Sequence, residues 1–471
     1  MRIRKYDFDY GRRMVMEKAA KGIVAAGVLS PLWPVLARGD DISKAYPDEM
    51  LSIEQFTKGK LSPGDVVDAN NVEVVKDLLD PITYMQIKDM GRRIRVRDAD
   101  RTADKLYPHA WLEATLRNQG RAGRDGDGNV IDTKTGGPWL GGTPFPEPKN
   151  AEEIVLNQTM SWSRHNTFKL NVRTHSLGRS GEIEYQHDFL WFEHQVTSRT
   201  DDGTFRDWKD RLRHNTILFT SPADQAGASF LNIWPYDQRE FPDLHGYIPA
   251  FQRVRQFPTD QRFEPVAPGL TLYLSDVWQA GDPGLTWGNY RVVSKGPTLA
   301  PGGGQYWPDR ENEEFPRHGG PEGTTFMDTW FELVPESWMI VQEPVAYPRA
   351  PVGERHVGID PRNSVGTSYV TYDRSGKVWK QYELGNGWRQ GLDEKGQYTG
   401  KFIPDPDNPD RPVWCWLEAH VMDTQTGRMT TMQHVDKIAG TNTRSEWNHE
   451  DEEGFYQRYM TTSAIARLGS Q

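Results

Sequence analysis

The sequence has a single cysteine, Cys415, among its 471 residues. One thiol cannot form an internal disulfide, so the stability of the chain has to come from the packing of its core. Cys415 lies between Trp414 and Trp416 in a strand-like run, which is typical of a buried packing residue. The sequence therefore predicts no disulfide framework and a structural role for the thiol.

Long apolar runs and an excess of positive charge are also missing. No stretch of about 18 consecutive apolar residues occurs, which excludes an ordinary transmembrane helix. The formal net charge is −10 at pH 7, which argues against a general binder of nucleic acid backbones. Aromatic residues, by contrast, reach 11% of the chain. They favour either β-sheet walls or a surface that binds flat or apolar ligands.

Common catalytic and metal-binding motifs are missing too. The chain contains no His-Glu-x-x-His, no Gly-x-Ser-x-Gly, no phosphate-binding loop and no cysteine pair. His187 and His194 are seven residues apart, so in one regular strand they face opposite sides and do not share a metal ion. We therefore predict no catalytic residue, no metal and no cofactor. A glycosidase-like pair of carboxylates stays open as an alternative, because the sequence does not rank its many acids.

The N-terminus has the pattern of an export signal. Residues 1–37 contain seven Lys or Arg and three acids, and the pair Arg12 and Arg13 precedes a moderately apolar stretch. That stretch ends on small residues at Ala37. A charged start, a short apolar segment and a small residue at the end indicate a signal peptide cleaved near Ala37. The paired arginines favour the twin-arginine route into the periplasm.

Residues 38–165 form a helical, loop-rich region by their pattern. Apolar spacing near 3.6 predicts helical structure over 72–90, interrupted at Asp80 and Pro81, and a second helix over 108–117. A third helix is expected over 151–164, because Asn150 is a good N-cap and Glu153 stands where a capping box needs it.

From 166 to 440 the pattern changes to alternation of apolar and polar residues, punctuated by Gly, Pro and Asp. Strands that follow one another without long intervening helices predict an antiparallel sheet or barrel. Residues 297–324 and 401–412 read as long surface loops, and 441–471 as a tail with a final helix. The predicted strands are 167–176, 182–199, 214–220, 228–236, 247–256, 270–278, 287–295, 326–333, 338–346, 367–373, 376–384, 412–423 and 429–437.

Two of these strands are apolar on both faces. In residues 187–196, Phe189 and Trp191 face one way while Leu190 and Phe192 face the other. A strand of this kind is covered on both sides. The sequence leaves open whether the second cover is a layer of helices or a cavity that holds a ligand.

A resemblance to a known family enters at residues 141–154. This segment closely resembles the Pro-Phe-Pro-x-Pro-Lys-x-x-x-Glu hallmark of a family of uncharacterised proteobacterial periplasmic proteins, which belongs to the LolA/LolB-like outer-membrane lipoprotein-sorting superfamily. The residues that carry it are Pro144, Phe145, Pro146, Pro148 and Lys149. Segments 68–81, 108–117, 287–293 and 329–334 also look similar, and the resemblance spans roughly 65–440.

The resemblance implies a fold and a function. The expected fold is a large, curved antiparallel sheet that forms an incomplete barrel, with helices covering its concave side. The expected function is a periplasmic carrier of a lipid or another hydrophobic ligand, working with an envelope transporter of the resistance-nodulation-division type. The resemblance implies no catalytic residues. A periplasmic hydrolase of glycans or lipid esters and a non-catalytic envelope scaffold are the alternatives.

Bulky aromatic residues in separate strands are the candidates for a ligand cavity. In a curved sheet one face of each strand points into the concave side. We expect at least three of six such residues to line one apolar cavity, faced by Trp162, with the helices at 71–90 and 151–164 as lids. The six are Phe189, Trp191, Trp234, Trp278, Trp330 and Trp338.

Overall fold

The computed structural model describes residues 31–160, 162–259, 262–276, 282–302 and 314–470. Short helices flank a large β-region. The helices are α1 (Leu32–Ala37), α2 (Asp48–Leu51), α3 (Ile53–Phe56), α4 (Pro81–Met90), α5 (His109–Asn118), α6 (Ala151–Met160), α7 (Glu452–Tyr459) and α8 (Thr462–Gly469).

The strands confirm a mainly β fold. They are β1 (Val66–Val67), β2 (Ile94–Arg97), β3 (Ala122–Arg124), β4 (Val130–Asp132), β5 (Thr167–Leu177), β6 (Ile183–Gln195), β7 (Arg211–Ser221), β8 (Ser229–Pro235), β9 (Asp243–Ile248), β10 (Arg253–Phe257), β11 (Gly288–Pro301), β12 (Arg317–His318), β13 (Phe326–Met327), β14 (Trp330–Glu343), β15 (Val352–Asp360), β16 (Val365–Asp373), β17 (Val378–Trp388), β18 (Gln390–Leu392), β19 (Tyr398–Phe402), β20 (Trp414–Asp423), β21 (Met429–His434) and β22 (Glu446–Trp447).

One sheet of 16 strands dominates the molecule. Its order is β1-β2-β14-β15-β16-β17-β20-β21-β5-β6-β7-β8-β9-β10, with β11 on β14 and β22 on β5. Neighbouring strands are antiparallel except for β2 and β14, which run parallel. Within the described residues β1 and β10 do not pair with each other, so the sheet is not closed into a barrel.

The sheet is strongly curved. Trp234 of β8 and Ile340 of β14 belong to strands far apart in the sheet order, yet both side chains join one buried cluster. This cluster, the main core, defines the concave face, and the other side is called the outer face here. The expectation of a curved, mainly antiparallel half-barrel is therefore confirmed.

Helix α6 packs on the concave face, as the sequence predicts. Ile154, Val155 and Leu156 are buried in the main core. Its start is capped where expected, because Asn150 Oδ1 accepts a hydrogen bond from the Glu153 N–H at 2.9 Å. The helix ends at Met160, four residues earlier than predicted.

The outer face of β6 is covered by the C-terminal helices. Leu190 and Phe192 point away from the main core and pack with Phe455 of α7. The ring of Phe192 also stacks on Tyr459, with centroids 4.2 Å apart. The expectation that β6 is covered on both faces is confirmed, with helices covering its outer face.

Helix α4 lies on the outer face, so its predicted position over the concave side is wrong. Ile82 and Met85 pack with Val370 and Met422 on that face. The helix is also tied to the sheet through Glu383, which forms a buried ion pair with Arg92 at 2.6 Å. Neighbouring side chains of a strand point to opposite faces of the sheet. Leu384 of β17 points to the concave face, so Glu383 points to the outer face, and α4 lies on that face near its ion pair with Arg92.

The N-terminal region does more than pack on the sheet, because it contributes β1 and β2 to it. Residues 1–30 of the predicted signal peptide lie outside the described residues. The remainder forms α1, whose Trp33, Val35 and Leu36 are buried in a cluster with Trp111. Removal of the chain up to Ala37 would therefore take three side chains out of this cluster.

Several predicted elements differ from the structure. The predicted strands 326–333 and 338–346 are largely one strand, β14, and the predicted loop 297–324 begins inside β11. Residues 72–79 form two short 3₁₀ turns instead of a helix, because three valines in this stretch disfavour it. The predicted strand 247–256 is split into β9 and β10 by a turn at Pro249–Phe251. Residues 270–276 of the predicted strand 270–278 are not a strand, and the rest lies outside the described residues.

Two histidines are buried beneath α7. His194 contacts Glu452 through Nε2 at 2.7 Å, and the ring of His214 lies 6.0 Å from the ring of His194. Burial lowers the pKa of both imidazoles, with Glu452 opposing the shift at His194. The folded protein therefore holds both rings neutral at a pH where the unfolded chain protonates them.

We expect these histidines to destabilise the fold in mild acid. When folding lowers the pKa of a histidine, that group does not reduce the free energy of unfolding above about pH 6.5. Below that pH, the free energy of unfolding falls by up to about 1.4 kcal/mol per pH unit. Burial raises the pKa of Glu418, which acts in the opposite direction. Urea unfolding of a histidine variant separates the contribution of the histidine from that of Glu418. Between pH 7 and pH 5, His214→Gln should lose less unfolding free energy than the unmodified protein.

The matched control is His245→Gln, which changes a half-buried ring on β9. Between pH 7 and pH 5, its free energy of unfolding should change by the same amount as that of the unmodified protein. Equal slopes for His214→Gln and the unmodified protein would contradict the assignment.

Candidate functional site

Residues 262–276 cross the concave face of the sheet, and we call them the plug segment. Val266, Leu270 and Leu272 from this segment are buried or half-buried against the main core. The segment folds back on itself through a bridge between Pro265 and Tyr273. It therefore occupies the space that a ligand would take in an open half-barrel.

Hydrogen bonds hold the centre of the plug segment. Thr271 donates its N–H to Thr430 Oγ1 at 2.9 Å, and its hydroxyl donates to the carbonyl of Val421 at 3.1 Å. Both partners belong to the adjacent strands β20 and β21. These two hydrogen bonds hold the plug segment at Thr271, and they leave the space beneath the segment unfilled.

Buried ion pairs anchor both ends of the segment. Asp276 lies 3.0 Å from Arg355 and 2.6 Å from Lys380, and Arg262 lies 2.5 Å from Asp282. Burial lowers the pKa of Lys380, and the carboxylate of Asp276 opposes that shift. Paired charges are tolerated in such surroundings, whereas a single charge is costly.

A small apolar cavity remains beneath the plug segment. Its volume is about 30 Å³, close to the roughly 30 Å³ that one water molecule occupies in the liquid. The concave side is therefore almost filled by the side chains of the protein itself. The cavity is lined by Val172, Phe189, Trp191, Ile217, Phe219, Val266, Leu270, Leu272, Trp416 and Met432.

A wide depression opens on the solvent side of the plug segment. Its volume is about 850 Å³, and it shares Leu270 with the cavity below. Tyr185 is 49% exposed at its edge, and Glu184 pairs with Arg428 across it. We call this depression the mouth. Its lining is Glu184, Tyr185, Pro265, Gly269, Leu270, Thr271, Tyr273, Asp423, Thr426 and Arg428.

Two titratable groups near the cavity and mouth are neutral at pH 7. Burial lowers the pKa of His187, which follows Tyr185 on the same face of β6. Burial raises the pKa of Tyr273 to about 12. The cavity itself is lined only by apolar side chains, which suits an apolar molecule or the apolar part of an amphipathic one.

Two of the six predicted aromatic residues, Phe189 and Trp191, line the cavity. Trp162 does not line the cavity, but its ring stacks on Trp191 with centroids 4.8 Å apart. Its Nε1 donates to Glu193 at 2.9 Å, which satisfies the buried indole. Trp162 is therefore a residue of the main core on the concave face, beyond the end of α6 at Met160.

Two of the five described candidates therefore line the cavity, and the other three described ones lie elsewhere. Trp234 is in the main core but stacks with Arg213 at 4.3 Å. Trp338 is partly buried at the side of that core beside Lys295. Trp330 faces Arg95 of β2 at 5.9 Å, because β14 pairs there with the N-terminal region. Trp278 lies outside the described residues.

The Pro-Phe-Pro-x-Pro-Lys segment positions α6. Asn157 of the helix accepts from the N–H of Phe145 and donates to its carbonyl, both at 2.8 Å. The N–H of Lys149 donates to Glu153 at 2.6 Å. Pro144 is buried, Pro146 and Pro148 are half-buried, and the Lys149 side chain is exposed. The motif therefore fastens α6 to the sheet and does not line the cavity.

The glycines before the motif serve the same purpose. Gly142 has φ of 77°, and a Cβ atom there would lie 2.3 Å from the backbone nitrogen of Thr115. Only glycine permits this approach between the motif and α5.

The sequence pattern does not predict the plug segment, the loop that fills the concave side. Alternation of Leu270 and Leu272 reads as a strand. The available signal was the clustering of Pro265, Pro268 and Gly269, which is typical of a loop. The choice of a loop that enters the core depends on contacts with β20 and β21, which are distant in sequence.

The position of Trp330 leads to a prediction. Its side chain is 4% exposed and does not touch the cavity. We expect Trp330→Ala to lower the unfolding free energy by roughly 3–5 kcal/mol, the range for a buried large-to-small change. Bound apolar ligand, measured by native mass spectrometry, should be unchanged. A loss of ligand with little loss of stability would contradict this placement.

Comparison with solved structures gives neighbours of low identity. A domain from Vibrio parahaemolyticus, described as an outer-membrane lipoprotein-sorting protein domain, is 12% identical, with TM-score 0.42, covering 67% of this chain and 98% of that one. A DUF1329 protein from Desulfovibrio piger is 12% identical, with TM-score 0.41, covering 67% and 97%. A LolA superfamily protein from Nitrosomonas europaea is 12% identical, with TM-score 0.34, covering 65% and 98%.

No curated protein shows a significant match to the chain. Within the described ranges, no helix has the length and apolar character needed to cross a membrane. The same residues include no group of three or more His, Cys, Asp or Glu side chains placed to hold a metal ion.

The family profile matches residues 66–466, which is most of the chain. This span includes the Pro-Phe-Pro-x-Pro-Lys segment, the plug segment and all strands of the main sheet. The expected membership of an uncharacterised family is confirmed. The chain belongs to DUF1329, a family of proteins of unknown function.

Proposed function

We propose that the protein is a periplasmic carrier for a lipid or another hydrophobic ligand. The observation that carries this proposal is the arrangement of the concave side. An apolar cavity lies under the plug segment, and the plug separates it from the open mouth. An exported protein that moves an acyl chain has to hide it from water, and this arrangement provides apolar walls and an entrance.

The plug segment stands in for the ligand in this structure. Burial of an acyl chain is worth about 0.8 kcal/mol per CH₂, so a chain of about 12 methylenes gains about 10 kcal/mol. Exposure of the plug side chains Val266, Leu270 and Leu272 costs roughly 1.5–3 kcal/mol each. A long acyl chain can therefore displace the segment, whereas a short one gains too little.

The partner in this proposal is an envelope transporter of the resistance-nodulation-division type. Such a partner would receive the ligand or deliver it, since a closed cavity does not release its contents readily. A non-catalytic envelope scaffold is the second candidate, and the observation that favours it is the small cavity of about 30 Å³. Recovery of a transporter by pull-down from protein that carries no apolar ligand would favour the scaffold.

The proposed export signal requires a change of boundary. Burial of Trp33, Val35 and Leu36 in α1 is compatible with removal of the signal only if cleavage occurs before Leu32. We expect N-terminal sequencing of the periplasmic protein to start at or before Leu32. Replacing both Arg12 and Arg13 by lysine should block export if the twin-arginine route is used. A mature protein that starts at Arg38 would contradict the revised boundary.

Ligand binding is tested directly with a fluorescent long-chain fatty acid and by lipid extraction. We expect native protein from periplasm to contain an apolar ligand and the purified protein to bind the probe. Leu270→Ala should bind it about tenfold more tightly, because the plug then fills less of the cavity and is easier to displace.

Leu116→Ala is the matched control, because Leu116 is 39% exposed on α5 and remote from the cavity. Its affinity should equal that of the unmodified protein. The absence of any apolar ligand from native protein, together with no binding of the probe, would contradict the carrier proposal.

A further inference from the structure

The outer face of the sheet contains a second concave site, larger than the cavity on the concave side. It lies between the end of α4, the β5–β6 turn, the β20–β21 turn and the loop 319–325. Its volume is about 530 Å³. We call it the methionine groove. Its lining is Asp89, Met90, Gly91, Leu177, Gly178, Arg179, Gly181, Gly319, Gly320, Pro321, Thr325, Met422, Gly427 and Met429.

Apolar side chains form the floor of the groove. Leu177, Met422 and Met429 are buried there in one cluster, and Met90 packs against them from α4. The sulfur of Met422 accepts a hydrogen bond from Gln86 Nε2 at 3.2 Å, which holds this side chain in place. Thioethers are polarizable and adapt to flat apolar surfaces, in particular to aromatic rings.

Glycine backbone forms much of the walls, and the packing there requires it. A Cβ on Gly319 would lie 2.4 Å from the carbonyl oxygen of Gly91, and one on Gly320 would lie 1.9 Å from Thr325 Oγ1. The N–H of Gly320 donates to the carbonyl of Met90 at 3.0 Å. The loop 319–325 is therefore built tightly onto the end of α4, and the groove is a defined feature of the fold.

Charge at the groove is confined to two lining side chains of opposite sign. Asp89 is exposed on the last turn of α4, and Arg179 is exposed on the β5–β6 turn. The floor side chains that line the groove, Leu177, Met422 and Met429, are uncharged. The groove therefore carries no net charge from its lining and favours an uncharged ligand.

The distribution of apolar surface favours a small molecule over a protein. The exposed large apolar side chains of the described residues are Leu116, Ile183, Tyr185, Phe251, Val292 and Val345, and none of them lines the groove. A protein-docking site presents apolar side chains across its surface. Here they lie only at the bottom of a depression whose size falls within the range of small-molecule sites, about 300–1,000 Å³.

We propose that the methionine groove binds an uncharged, mainly apolar small molecule with planar aromatic rings. Its rings lie against the half-buried thioether of Met90, above the floor that Met422 and Met429 form, and its edge meets the glycine backbone of the walls. This site is on the opposite face of the sheet from the plug segment, so it goes beyond the proposed carrier site and does not depend on it.

Methionine methyl NMR with the neutral planar dye Nile red tests the proposal. The full chain is labelled with [methyl-¹³C]methionine, and signals are assigned by Met→Leu substitution. Addition of Nile red should shift the methyl signals of Met90, Met422 and Met429. Met432 lines the cavity beneath the plug segment and reports on that site instead. Its signal should not move, which separates the two sites in one spectrum.

A substitution at the rim adds a second measurement. Met90→Glu places a carboxylate beside the floor and should weaken Nile red binding at least tenfold by fluorescence titration. Met50→Glu is the matched control, because Met50 is also half-buried but belongs to the cluster that contains Trp33 and Trp111. It should bind the dye as the unmodified protein does.

Three results would overturn the proposal. The first is no saturable binding of Nile red to the unmodified protein. The second is a shift of Met432 without shifts of Met422 and Met429, which would assign the dye to the concave side. The third is equal affinity of Met90→Glu and Met50→Glu. Failure of fatty acid binding at the plug segment would leave these readouts unchanged, so the two proposals fail separately.

Discussion

The stacking of Trp162 on Trp191, at 4.8 Å between ring centroids, lies where the chain after α6 meets the concave face of the sheet. An open, curved sheet exposes two apolar faces, and neither is stable in water unless something covers it. On the concave side the cover consists of α6, Trp162 and the plug segment. The Pro-Phe-Pro-x-Pro-Lys segment helps to position α6, because the Asn157 side chain of this helix forms two hydrogen bonds with the backbone of Phe145.

The outer face is covered by elements from both ends of the chain, α4 and the C-terminal helices. These covers bring charged groups inside, and each is stable only with a partner, as in the buried pair of Arg92 and Glu383. The two faces differ in how completely they are filled. The concave side keeps about 30 Å³ of space, whereas the methionine groove keeps about 530 Å³. Side chains fill the first, while glycine walls leave the second open.

Local patterns predicted much of the fold correctly. The alternation in β6, the capping of α6 by Asn150 and the helix at 108–117 all depend on neighbours within a few residues. Predictions failed where the local sequence is compatible with two different structures. The plug segment alternates like a strand, and only its hydrogen bonds to Thr430 and Val421 decide otherwise. Trp330 and Trp191 look alike in sequence, but pairing with β2 takes Trp330 away from the cavity.

The sequence by itself determined the class of the protein: a mainly β chain, apolar on both faces of its central strand, with a segment that resembles the hallmark of an uncharacterised family. These properties follow from residue type and spacing, which act over short distances. Only the tertiary structure decided which face α4 covers, which aromatic residues meet, and that the chain itself fills the concave side. These depend on register and on contacts between segments far apart in sequence, such as Thr271 with Thr430, because a shift of one residue sends a side chain to the opposite face.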